Sequence, residues 1–116
     1  MQLPTVSTPV DGVGLGYGYK ATLQRVGNIV TLTSWQKFTQ TPTDGQVLSE
    51  TIPLGYRPIF NTRPANFAVD GSSGRKVTWQ FRPNGSMTIY TTAQANDTVL
   101  IYATWCTNDP MPASSN

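Results

Sequence analysis

Hydrophobic residues recur at every second position through several short stretches of the chain, with polar residues between them. Tyr19, Ala21, Leu23 and Arg25 alternate with Lys20, Thr22 and Gln24, and Ile29 to Trp35 continues the pattern beyond Val26-Gly27-Asn28. Period two, β-branched residues and a Gly-Asn turn predict a β-hairpin. Lys76 to Arg82 alternates strictly, with Val77, Trp79 and Phe81 on one face and Thr78 and Gln80 on the other. Pro83-Asn84-Gly85 closes a tight turn, and Ser86 to Thr92 returns with Met87, Ile89 and Thr91 on one face. Asp97 to Thr107 is the last expected strand. Val99, Ile101, Ala103 and Trp105 share one face and Leu100 and Tyr102 the other, so cover on both sides is expected.

Between the hairpins, Thr39 to Gly45 reads as a polar loop, Gln46 to Ile52 as a short strand, and Arg63 to Asp70 as another with Phe67 and Val69 on one face. Asp70-Gly71-Ser72-Ser73-Gly74 reads as a flexible loop tip. The middle of the chain is Ile52-Pro53-Leu54-Gly55-Tyr56-Arg57-Pro58. Its prolines fix φ and remove two backbone donors, and Gly55 supplies a positive φ, so a stiff corner is expected. Ile52, Leu54 and Tyr56 are its expected apolar anchors. Arg57 is expected to satisfy carbonyls that the corner leaves unpaired, or to stack on a ring.

No segment carries an apolar 3.6-residue repeat, so little or no helix is expected. The fold class that follows is all-β: an antiparallel β-sandwich or Greek-key β-barrel of about seven or eight strands. Residues 19–107 form this domain. Residues 1–18, with Pro4, Pro9, Gly12, Gly14, Gly16 and Gly18, read as an irregular arm or linker, or as a segment packing on a neighbouring subunit through Val13, Leu15 and Tyr17. Residues 108–116 read as a flexible, Pro- and Ser-rich tail.

Composition narrows the chemistry. Charged residues are 12% of the 116, about half the ~25% usual in soluble domains. Solubility therefore falls to Thr, Ser, Asn and Gln, a neutral polar surface suited to contact with glycans. Net charge is +2, with the basic residues scattered, so no phosphate-tracking stripe for nucleic acid is expected. No stretch has the ~20 apolar residues of a membrane helix, and the N-terminus lacks a secretory pattern. Cys106 is the one cysteine. It can make neither an intrachain disulfide nor a cysteine zinc site, and beside Trp105 it reads as a buried, inert thiol.

There is no histidine, which excludes histidine triads and histidine metal sites. Of the six carboxylates, Asp11, Asp44, Glu50, Asp70, Asp97 and Asp109, nearly all fall in expected turns or tails, where such side chains hydrogen-bond their own backbone. No enzyme activity, cofactor or metal is expected, and calcium has no spaced motif. The Asn84-Gly85-Ser86 and Asn96-Asp97-Thr98 sequons read as turns.

Saccharide binding needs an aromatic face for a pyranose ring and hydrogen-bonding groups at its rim. Trp35, Trp79 and Trp105 are the platforms on offer. Trp79 and Trp105 share faces with aliphatic residues and also fit a core. Trp35 ends a strand ahead of a polar loop and fits either role. Asp70 and Arg75, flanking the Gly-Ser loop, and Asp97 after the Gln94-Ala95-Asn96 turn are the rim candidates.

The order Leu23-Gln-Arg-Val-Gly-Asn-Ile-Val-Thr-Leu32, then Ile52-Pro-Leu-Gly-Tyr-Arg-Pro58, then a pair turning at Arg82-Pro-Asn-Gly-Ser86 resembles a known layout. It is similar to the C-terminal head domains of phage tail-fibre and baseplate receptor-binding proteins, especially from phages of Gram-positive bacteria. The resemblance covers roughly residues 19–107 and leaves out residues 1–18. It implies a homotrimeric head on a virion tail tip or baseplate, beside other tail proteins. It also implies non-covalent binding of host cell-surface polysaccharide or a teichoic-acid-like polymer. Alternatives are a virion structural or trimerisation module without a ligand, and a cellular carbohydrate-binding module.

Overall fold

The computed structural model describes residues 8–112. Eight strands run in chain order: β1 (Val10–Gly14), β2 (Lys20–Val26), β3 (Ile29–Lys37), β4 (Gln46–Val47), β5 (Phe67–Ala68), β6 (Lys76–Phe81), β7 (Met87–Thr91) and β8 (Thr98–Cys106). They form two four-stranded antiparallel sheets of order β1-β2-β3-β8 and β4-β7-β6-β5. No helix is present among the described residues. The all-β expectation and its strand number are met.

Period-two patterning sets the faces. Leu23, Val30, Leu32, Val99 and Ile101 of the first sheet and Val77, Trp79, Phe81, Met87 and Ile89 of the second are fully buried in one core. Fully burying such a side chain contributes about 1.5–3 kcal/mol relative to leaving it exposed. Tyr19, Phe38 and Trp79 form an aromatic cluster, with centroids 5.2 Å apart for Tyr19 and Phe38 and 5.3 Å for Tyr19 and Trp79. The β2–β3 turn has Val26 opposite Ile29 and Gly27 at φ 58, the positive φ that a two-residue hairpin requires at its first central position. At the β6–β7 turn, Gly85 has φ 89 and its N–H donates to the Arg82 carbonyl.

The corner behaves as two of its expected anchors predict and departs on the third. Ile52 and Tyr56 are buried, whereas Leu54 is exposed. The Ile52 N–H donates to Gly85 O at 2.8 Å, and Arg57 Nε donates to Ile52 O at 2.9 Å. A second clamp comes from residues 108–112, expected to be a loose tail. Asp109 Oδ2 accepts the N–H groups of Gly55 (2.9 Å) and Arg57 (3.1 Å). Arg25, 3% exposed, donates to Gly55 O at 2.8 Å and Pro110 O at 3.0 Å. The buried guanidinium is satisfied by carbonyls, which binds hairpin, corner and tail into one unit. Residues 113–116 lie outside the described residues.

Five other expectations need correction. The irregular arm expected over residues 1–18 contains β1 and the fully buried Leu15, whose N–H donates to Tyr19 O at 2.8 Å. Its glycines accommodate turns around apolar residues that the core takes in, so the domain reaches back at least to Val10; residues 1–7 lie outside the described residues. The strand expected over Arg63–Asp70 shrinks to Phe67–Ala68 with isolated bridges at Thr62 and Val69, because Pro64 has no N–H to give a ladder. The strand over Gln46–Ile52 likewise shrinks to two residues, although Leu48 N–H still donates to Met87 O at 2.9 Å. Cys106 is exposed rather than buried, since inward-facing Trp105 puts it on the other face of β8. The same parity leaves Leu100 and Tyr102 uncovered in the single chain.

Candidate functional site

Trp35 lies on the outer face of the first sheet. Leu32 and Val30 point inward on β3, so parity sends Trp35 out, where it pairs with Leu100 of β8 and is 70% exposed. Two depressions meet at its ring. One of about 600 Å³ runs over Asp11, Lys20, Thr22, Thr33 and Leu100; the other, about 520 Å³, is lined by Gly18, Gln36, Lys37, Thr39, Asp70 and Thr98.

Backbone pairing brings the second group together. Lys37 pairs with Thr98 in the β3–β8 ladder, and Thr98 O accepts the Asp70 N–H at 2.9 Å. The Val69–Val99 bridge places Asp70 at that edge. Asp70, drawn from the sequence as a rim residue, therefore lines the same depression as Trp35. Its carboxylate accepts no hydrogen bond and joins no ion pair among the described residues, and the Lys37 ammonium donates none and joins none there. Asp11, by contrast, accepts the Thr22 hydroxyl at 2.8 Å.

The other proposed site residues lie elsewhere. Trp79 is fully buried; its Nε1–H donates to Leu15 O at 2.9 Å and its ring packs on Tyr19. It cannot face a ligand, and its alternation with Val77 and Phe81 already carried that reading. Trp105 is also core, donating to Tyr56 O at 2.7 Å with its ring 5.0 Å from Phe81. Arg75 and Asp97 are spent on each other through two 2.9 Å hydrogen bonds. Asp97 also accepts the Gln94 N–H at 2.8 Å. The Arg75 guanidinium holds the Asp97 carboxyl below its ordinary range and is itself pushed up by that carboxylate. The pair fastens the Gly-Ser loop to the turn before β8 and does not line the Trp35 depressions.

Sequence reasoning missed Thr39 and Thr98 as lining residues. Gln36 and Lys37 stand out in the sequence only as the residues that follow Trp35; the Lys37–Thr98 pairing depends on a register set by residues far apart in the chain. Chemically, the second depression offers an aromatic face, one uncommitted carboxylate, one uncommitted ammonium and several neutral hydrogen-bonding groups. That set suits polyhydroxylated ligands: C–H groups pack on the ring while hydroxyls donate to the carboxylate. Among the described residues, no three His, Cys, Asp or Glu side chains cluster as a metal site.

Comparison with known proteins finds no family model that matches the chain and no matching curated protein.

Proposed function

We propose that the chain is a saccharide-binding domain that uses the outer face of the β1-β2-β3-β8 sheet, with Trp35 as platform and Asp70 as hydroxyl acceptor. The observation that carries the reading is a 70% exposed tryptophan ring in one depression with an unpaired carboxylate. A buried core needs neither group, and exposing a large ring forgoes about 1.5–3 kcal/mol of burial. The low-charge, hydroxyl-rich composition favours recognition of a polyhydroxylated polymer through neutral hydrogen bonds. With the resemblance of residues 19–107 to phage receptor-binding heads, the ligand class is a bacterial cell-surface polysaccharide or teichoic-acid-like polymer. The setting is then a virion tail tip or baseplate, and the assembly a homotrimer.

A second reading draws on Leu100 and Tyr102, 65% and 66% exposed on the same sheet face. An apolar stripe beside Trp35 also suits an assembly surface in a tail module without a ligand. Light scattering with and without purified cell-wall polysaccharide separates the two. A stable oligomer that gains mass with polysaccharide, and loses the gain in Trp35→Ala and Asp70→Asn, supports the binding domain. An oligomer indifferent to polysaccharide, which falls apart in Leu100→Asp, supports the assembly module and overturns the first reading.

A further inference from the structure

On the outer face of the other sheet, Lys76 and Arg63 border one small recess from different elements. Lys76 opens β6, and inward-facing Val77 leaves it on the outside. The segment before β5 crosses the same face, fixed where Thr78 Oγ1 donates to Pro64 O at 2.7 Å. That crossing holds the Arg63 guanidinium carbon 4.1 Å from the centroid of the Tyr90 ring, and Tyr90 pairs with Thr78 in the ladder. The recess measures about 220 Å³ and is lined by Asp44, Arg63, Asn66, Lys76, Tyr90 and Thr92.

The charges there are unbalanced. Neither Arg63 nor Lys76 has a carboxylate partner; the one salt bridge among the described residues is Arg75–Asp97. Asp44 Oδ1 accepts the Thr91 N–H at 2.9 Å, and its single negative charge leaves the two cations in excess. Stacking on Tyr90 uses the face of the guanidinium and orients it, but leaves its N–H edge open. Lys76 adds three donors, and the Asn66 amide and Thr92 hydroxyl add neutral ones. Donors converging from several sides match a tetrahedral oxyanion better than a planar carboxylate. A recess of about 220 Å³ is large enough for one such group.

We propose that this recess binds a single phosphate-type oxyanion through Arg63 and Lys76, with Tyr90 presenting the arginine. The group is either a free phosphate or phosphomonoester, or a phosphodiester within a polymer. The site lies on the opposite sheet from Trp35, so it does not rest on the saccharide reading.

The test is an amide NMR titration of the full chain with sodium phosphate and, separately, with dimethyl phosphate, each against sodium chloride at equal ionic strength. Saturable shifts are expected at Arg63, Asn66, Lys76 and Thr92 and not at Gln36 or Lys37. Arg63→Gln and Lys76→Gln are each expected to weaken binding by about tenfold, as loss of charge-assisted hydrogen bonds requires. Arg63→Lys should retain part of the affinity, and well-dispersed spectra show that each variant is folded. Because the groups are exposed, affinity should fall as salt rises. Tighter binding of dimethyl phosphate than of inorganic phosphate assigns a phosphodiester; tighter binding of inorganic phosphate assigns a free phosphate or monoester. Equal shifts with chloride, or unchanged affinity in either glutamine variant, overturn the proposal.

Discussion

The Arg75 guanidinium grips the Asp97 carboxylate with two nitrogens, Nε to Oδ2 and Nη2 to Oδ1, both at 2.9 Å. This bidentate contact fastens the end of the Gly-Ser loop to the turn ahead of β8. It also makes the fold sensitive to acid in a defined direction. Asp97 is held below its ordinary value of 3.8, chiefly by the Arg75 hydrogen bonds. A depressed carboxyl stabilises the fold above its unfolded value, and that contribution is lost as pH falls through the folded value. Tm should therefore drop below about pH 4 more steeply in the parent chain than in Asp97→Asn. Parallel Tm–pH curves for the two would remove the pair from any role in acid stability.

The tryptophans should separate cleanly in mutation. Trp35→Ala is expected to leave stability within about 0.5 kcal/mol, as for most surface substitutions, while abolishing polysaccharide binding. Trp79→Ala empties the aromatic cluster and is expected to cost about 3–5 kcal/mol. Denaturant unfolding of both, with a binding assay on Trp35→Ala, checks this; a Trp35→Ala chain as unstable as Trp79→Ala would make Trp35 structural.

Gly85 and Gly71 both have positive φ but differ in surroundings. A β-carbon on Gly85 would lie 2.6 Å from Arg57 Nε and 2.7 Å from the Ile52 carbonyl, whereas nothing lies within 4 Å of one on Gly71. Gly71→Ala should cost only the left-handed backbone penalty, about 1–2 kcal/mol. Gly85→Ala should cost clearly more, since the corner's own backbone must move aside. Equal unfolding midpoints for the two variants would show that the close approach carries no energy.

Tyr19 gives an alkaline counterpart. Its hydroxyl donates to Val99 O at 2.6 Å, and burial pushes its pKa up to about 12. The neutral phenol's contribution is full below pH 10, the unfolded value, and is lost as pH rises from there through about 12. Between pH 9 and 11 the denaturant midpoint should fall faster in the parent chain than in Tyr19→Phe. At pH 7 the variant should be less stable by about 1 kcal/mol. A variant with the parent's alkaline slope would place the effect elsewhere.

Much of the fold was legible because period-two patterning is local: Val77, Trp79 and Phe81 announced a buried face without knowledge of any partner strand. The corner was legible for the same reason, since proline and glycine act on their own backbone. What escaped depended on partners distant in sequence. The glycines before Tyr19 looked like an arm because nothing local says that β2 will pair with Val10 to Gly14. Arg75 and Asp97 looked like free loop charges until the structure placed them 2.9 Å apart. For the candidate site, Trp35 and Asp70 were each nameable from the sequence, but their sharing of one depression follows from a bridge between Val69 and Val99.

The ladder between β3 and β8 joins Lys37 to Thr98 and Ile29 to Cys106, partners separated by more than half the chain. During synthesis, β2 and β3 can zip as a hairpin early, but β3 keeps one edge bare until residues 98–106 emerge from the ribosome. Val30 and Leu32 then wait, half-covered, for Trp105 and Ala103. Long-range pairing of this kind makes folding slow and leaves the nascent hairpin open to edge-to-edge association. A chaperone or a crowded polysome would meet this chain as a sticky hairpin seeking its last strand.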